Sequence, residues 1–142
     1  MECNKILVPV VGTEADVRAM ELANRLLDKK NKGIVCAVHI ISIERALPID
    51  AEVDSEIRKA EDILNHIENI AGECGCKIET DLLQAREPGP AIVNEAIEQE
   101  TDLIIIGVTY KRRFGEFSLG DVVPYVLRHA PCRVIVYHQP VM

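Results

Sequence analysis

The chain has 142 residues, the length of one domain and enough for a real core. Apolar residues make up 48% and charged residues 27%, with a formal charge of −7. That balance is ordinary for a soluble globular chain and argues against a general nucleic-acid or membrane-surface role, since either needs a basic face. No apolar stretch reaches the ~20 residues needed to cross a bilayer, and Met-Glu-Cys-Asn-Lys-Ile lacks the basic region and apolar core of a signal peptide, so no membrane insertion and a cytoplasmic location are expected. The cysteines (Cys3, Cys36, Cys74, Cys76 and Cys132) are odd in number and lack framework spacing, which fits a reducing compartment.

Residues 5–11 (KILVPVV) read as a first strand, with Pro9 near its end because proline cannot donate to a ladder. Gly12 to Asp16 is a turn into a helix. Thr13 and Asp16 have the spacing of a capping box, with Thr13 as N-cap. The helix is expected to run to about Lys29 on a stripe of Ala15, Ala19, Leu22, Ala23 and Leu26, and Gly33 closes its basic exit. Residues 34–40 (IVCAVHI) form a second, buried strand, and the loop 42–50 is long enough to reach over a crevice.

The strongest helix signal lies in residues 51–73, where Val53, Ile57, Ala60, Ile63, Leu64, Ile67, Ile70 and Ala71 recur at three-and-four spacing. The carboxylates of 52–62 read as its solvated side. Cys74-Gly75-Cys76 is a helix end turning into a strand rather than a metal or redox site, because no second pair or nearby histidine completes one. Residues 77–84 (KIETDLLQ) alternate more and are placed near a sheet edge. Pro88-Gly89-Pro90 breaks the chain, and 91–100 form a third helix with Ile92, Val93, Ala96 and Ile97 inward.

The stretch 101–137 organises the rest. Leu103 to Ile106 is a short apolar run without alternation, the pattern of a parallel strand buried on both faces, and Gly107 ends it. A basic loop (Lys111, Arg112, Arg113) leads to Ser118-Leu119-Gly120-Asp121. A helix follows with Leu119, Val122, Val123, Val126, Leu127 and Ala130 on one face. Pro131 stops that helix, and residues 133–137 are a last strand. The alternation βαβαβαβαβ, without repeat, low-complexity segment or linker, predicts an α/β fold: one parallel five-stranded sheet with helices on both faces. Strand, glycine-bearing loop and helix start together suit an anionic ligand, held in a crevice beyond the strand ends.

These residues resemble the universal stress protein family, whose nucleotide-binding members carry Gly, two residues, Gly, nine residues, then Gly-Ser or Gly-Thr. Gly107 and Gly120 keep the outer spacing, and LRHAPCRVIV and ILVPVVGTEA resemble the family's ending and opening. Two positions depart: Tyr110 stands for the middle glycine and Asp121 for the hydroxyl residue. The resemblance covers residues 1–142 as one universal stress protein domain. It implies a Rossmann-like, adenine nucleotide alpha hydrolase-like sheet of order 3-2-1-4-5, with the crevice between strands one and four. It also implies a homodimer through the last strand, a protein partner the sequence does not identify, and a stress-response sensor rather than an enzyme.

The ligand implied is an adenine nucleotide (ATP, ADP or AMP), with Mg2+ entering only alongside a triphosphate. Its expected nucleotide-binding residues are Pro9, Val10, Val11, Gly12, Thr13 and Val38 on one side, and Gly107, Tyr110, Lys111, Arg112, Arg113, Gly120, Asp121 and Val122 on the other. Tyr110 brings a side chain where the family has bare backbone. Asp121 offers only acceptors and repels phosphate; the plainer account is that it caps its own helix, three residues after Ser118. The three cations either clamp phosphate, with Arg as a bidentate fork, or are a solvated loop tip. Val11 replaces the family's usual Asp, which leaves an apolar pocket that can enclose an adenine without specifying it. The alternative is a dimeric interaction module that binds no nucleotide, or a regulator of a transporter. His39, His66, His129 and His138 lie in different elements with no catalytic companion; His39, near a strand end, is read as a partnered structural histidine.

Overall fold

The computed structural model describes residues 3–110 and 121–140. Five parallel strands, β1 (Lys5–Pro9), β2 (Ile34–Ser42), β3 (Ile78–Ala85), β4 (Leu103–Tyr110) and β5 (Arg133–Pro140), lie in the order β3-β2-β1-β4-β5. They alternate with α1 (Glu14–Leu26), α2 (Asp54–Cys74), α3 (Pro88–Glu98) and α4 (Val122–His129).

The period-two alternation of the strands divides the core between the two faces. Ile6, Val8, Val10, Val35, Ala37, Leu103 and Ile105 pack against Ala19, Met20 and Ala23 of α1 and Leu64, Ile67 and Ala71 of α2. Leu7, Cys36, Val38, Ile104 and Ile106 point the other way, onto Ile92, Val93 and Ala96 of α3 and Val123 and Val126 of α4. Each side chain of Leu103, Ile104 and Ile105 is fully buried, and truncating one to Ala costs roughly 2–5 kcal/mol.

Several boundaries differ from the sequence reading, each for a tertiary reason. Helix α1 stops at Leu26 rather than near Lys29, because Leu27 is extended and bridges to Cys3, with Cys3 N donating to Leu26 O (2.8 Å) and Asp28 N to Cys3 O (2.7 Å). Pro88-Gly89-Pro90 does not precede α3 but forms its first turn, where a missing N–H leaves no bond unmade. Gly107 does not end β4. The strand continues to Tyr110, with Gly107 opposite Tyr137 of β5. Glycine is required there because a Cβ would lie 2.4 Å from the Ala15 carbonyl oxygen at the start of α1.

Helix α2 ends as expected at Gly75, which is left-handed (φ 68°), with Cys76 N returning to Ala71 O (3.0 Å). The connection between β2 and α2 is clasped from β3 and its exit. Gln84 Nε2 donates to Ile49 O (2.8 Å) and Ala51 O (3.0 Å), and Arg86 Nη1 to the carbonyls of Ile43 and Glu44.

Candidate functional site

Strands β1 and β4 are neighbours whose following helices, α1 and α4, cover opposite faces, so a cleft opens at their C-terminal ends. Its volume is about 260 Å³. Pro9, Val10, Val11 and Thr13 line it from the exit of β1, and Val38 and Ile40 from β2. Ile106, Gly107, Val108 and Thr109 come from β4, Pro88 and Ile92 from α3, and Val122 and Val123 from α4. Among the described residues the lining carries no charged side chain, and its only side-chain hydroxyls belong to Thr13 and Thr109. Such a cleft desolvates a flat, weakly polar group at little cost.

The turn on the β1 side is closed by the protein's own acid. Gly12 is left-handed (φ 96°), which brings three successive N–H groups together. The Asp16 carboxylate accepts from Val11 N (3.1 Å), Gly12 N (2.6 Å) and Thr13 N (3.1 Å), and Asp16 is only 2% exposed. Burial pushes its carboxyl above the usual range, offset in part by those N–H groups and by nearby His39. The expected capping box is thus present, with its tight hydrogen bonds on the carboxylate side. Thr13 is the N-cap, but its Oγ1 is buried without a partner. His39 Nδ1 lies 2.7 Å from Val10 O and so donates to it, a structural role that ties β2 to the exit of β1.

The start of α4 differs. Asp121 is its N-cap, but the carboxylate is exposed and makes no capping bond, which corrects the reading that it satisfies its own helix start. It does not line the cleft; it borders a neighbouring depression with Glu87, Gly89 and Tyr125. At α3, prolines at the first and third positions remove two of the N–H groups a helix start would present.

Of the residues expected from sequence, Pro9, Val10, Val11, Thr13, Val38, Gly107 and Val122 come together around the cleft. Gly12 faces a separate groove between α1 and α2. Lys111, Arg112, Arg113 and Gly120 lie outside the described residues, as does the side chain of Tyr110. Ile40, Pro88, Ile92, Ile106, Val108, Thr109 and Val123 were not anticipated. The signal that could have found Val108 and Thr109 is their place at the C-terminal end of a strand beside the switch point.

Sheet order and cleft position define a doubly wound α/β domain of the Rossmann-like class. The chain matches the universal stress protein family over residues 2–138 and belongs to it. It is 30% identical over 142 residues to Universal stress protein MJ0531 of Methanocaldococcus jannaschii, covering 96% of this chain and 82% of that one. The universal stress protein of Archaeoglobus fulgidus in complex with dAMP superimposes with a TM-score of 0.72 at 24% identity, over 96% of this chain and 98% of that one. An Arabidopsis thaliana family member with AMP bound gives a TM-score of 0.66 at 18% identity, over 96% and 92%.

Proposed function

We propose that this chain is a nucleotide-responsive binding protein that takes an adenine nucleotide in the cleft between the ends of β1 and β4. The observation that carries this reading is the distribution of polarity around the cleft. Its walls are aliphatic and uncharged, suited to a base, and they end at Val122 and Val123, the first residues of α4. Of the three helix starts that border it, α1 is preceded by a turn whose N–H groups are taken by the Asp16 carboxylate, which sets an acid at that start, and α3 is depleted by prolines, so α4 is where a phosphate is best received. Complexes of relatives with dAMP and AMP support a monophosphate as the first ligand to try. Among the described lining residues there is no nucleophile paired with a base, so binding is favoured over catalysis.

In this reading a homodimer forms through β5, an edge of the sheet that pairs with β4 alone among the described strands, and the ligand alters association with a protein partner. A second reading, a dimeric interaction module without nucleotide, is favoured by one feature: Val11, 58% exposed at the cleft mouth, offers no polar contact to a ribose or base edge.

Thermal unfolding with and without millimolar AMP, ADP and ATP separates the two. A ligand at a hundred times its dissociation constant stabilises by about 2.7 kcal/mol, a clear rise in Tm. No rise with any of the three selects the interaction module.

A further inference from the structure

On the face of the sheet that α3 and α4 cover, four side chains from three elements meet beside the β3 edge. Gln99, the C-cap of α3, directs Nε2 to Asp81 Oδ2 on β3 (3.1 Å), to Glu95 Oε1 one turn earlier on α3, and to Cys36 Sγ on β2 (3.5 Å). The Cys36 thiol donates in turn to Asp81 Oδ2 (3.9 Å). Glu95 is buried, 9% exposed, and one Gln99 amide nitrogen holds its carboxyl beside that of Asp81. Two ionised carboxylates brought so close repel each other, so the first proton the pair takes up is bound more tightly than by either acid alone.

Among the described residues the surroundings do not neutralise the pair. Glu98 on α3 and Glu79 on β3 add negative charge. The adjoining groove holds two arginines, but Arg86 is bonded to the Ile43 and Glu44 carbonyls, and Arg45 pairs with Glu87 (3.9 Å). We propose that Glu95 and Asp81 share one proton, with Glu95 the donor and Asp81 the acceptor, so that this proton latches α3 to β3 and its release loosens the helix. Burial, the largest cause, pushes the Glu95 carboxyl above the usual range; the Gln99 amide pulls it down, and neighbouring Asp81 pushes it up again. A carboxyl raised in the folded state contributes stability that is full below its unfolded value, about 4.3, and is lost as pH rises through the folded value. Helix α3 also carries Pro88 and Ile92 of the cleft wall, but the latch is a property of the fold and stands whether or not a nucleotide binds.

Carbon-13 NMR of the side-chain carboxyls in the intact protein, with amide hydrogen exchange on the same samples, tests the latch. Glu95 is expected to titrate above the ordinary carboxylate range. Across that window the protection of α3 amides, corrected for intrinsic exchange, falls by about tenfold for each unit by which the folded pKa exceeds the unfolded one. Glu95→Gln keeps the shape without the titratable proton and abolishes the window. Titration of Glu95 in the ordinary range overturns the proposal. So does α3 protection that stays constant through the titration, or an E95Q variant that keeps the wild-type response. Should E95Q not fold, the wild-type titration decides alone.

Discussion

Two aspartates stand at helix starts on either side of one cleft, and they do opposite things. Asp16 is buried and gathers the N–H groups of Val11, Gly12 and Thr13. Asp121 is exposed and caps nothing. Sequence spacing gave both the same assignment, because each sits three residues after a hydroxyl residue. At Asp16 the turn is made by Gly12, which is left-handed and folds the neighbouring N–H groups onto the carboxylate. The turn before α1 is therefore filled from within, whereas the Asp121 side chain does not play that part at the start of α4.

Substitutions can break that contrast, beginning with the largest effect. Asp16→Ala leaves three N–H groups of a part-buried turn without their acceptor and empties a buried site, and should cost roughly 3–5 kcal/mol in chemical denaturation. A cost near zero would mean that water replaces the carboxylate, and the turn would then count as open too. Gly107→Ala forces a Cβ onto the Ala15 carbonyl and should destabilise by roughly 1–3 kcal/mol, pushing the first turn of α1 off β4. Thr13→Val should be neutral or slightly stabilising, within about 1 kcal/mol, since the hydroxyl it removes has no partner. Asp121→Ser should change stability by no more than about 0.5 kcal/mol while tightening AMP binding in calorimetry, because it removes a negative charge beside the start of α4. Unchanged affinity in that variant would show that phosphate does not approach this helix.

Strand count and helix number were legible because aliphatic strands and amphipathic helices announce themselves by period, whereas the sheet order came from the family resemblance. What failed was local punctuation whose meaning is tertiary. Gly107 reads as a breaker, yet it continues β4 because the only demand on it comes from Ala15, far away in sequence. Pro88 and Pro90 also read as breakers, although proline in a first turn is a known helix start that the residues alone could have suggested. The cleft was half visible. Its β1 wall came from a resemblance, whereas Ile40, Ile92 and Val123 look like any core residue until the sheet order shows which aliphatic ends remain uncovered. The Cys36, Asp81, Glu95 and Gln99 cluster was invisible, since no sequence pattern joins residues contributed by β2, β3 and α3.

The clasp on the β2–α2 connection has a consequence for engineering. Gln84 and Arg86 grip the backbone at Ile43 and Glu44 on one flank and at Ile49 and Ala51 on the other. Neither side chain holds the stretch between, so extra residues spliced after Ala46 would bulge outward while both anchor points stay seated. That makes the connection a natural place to graft a reporter or a foreign epitope.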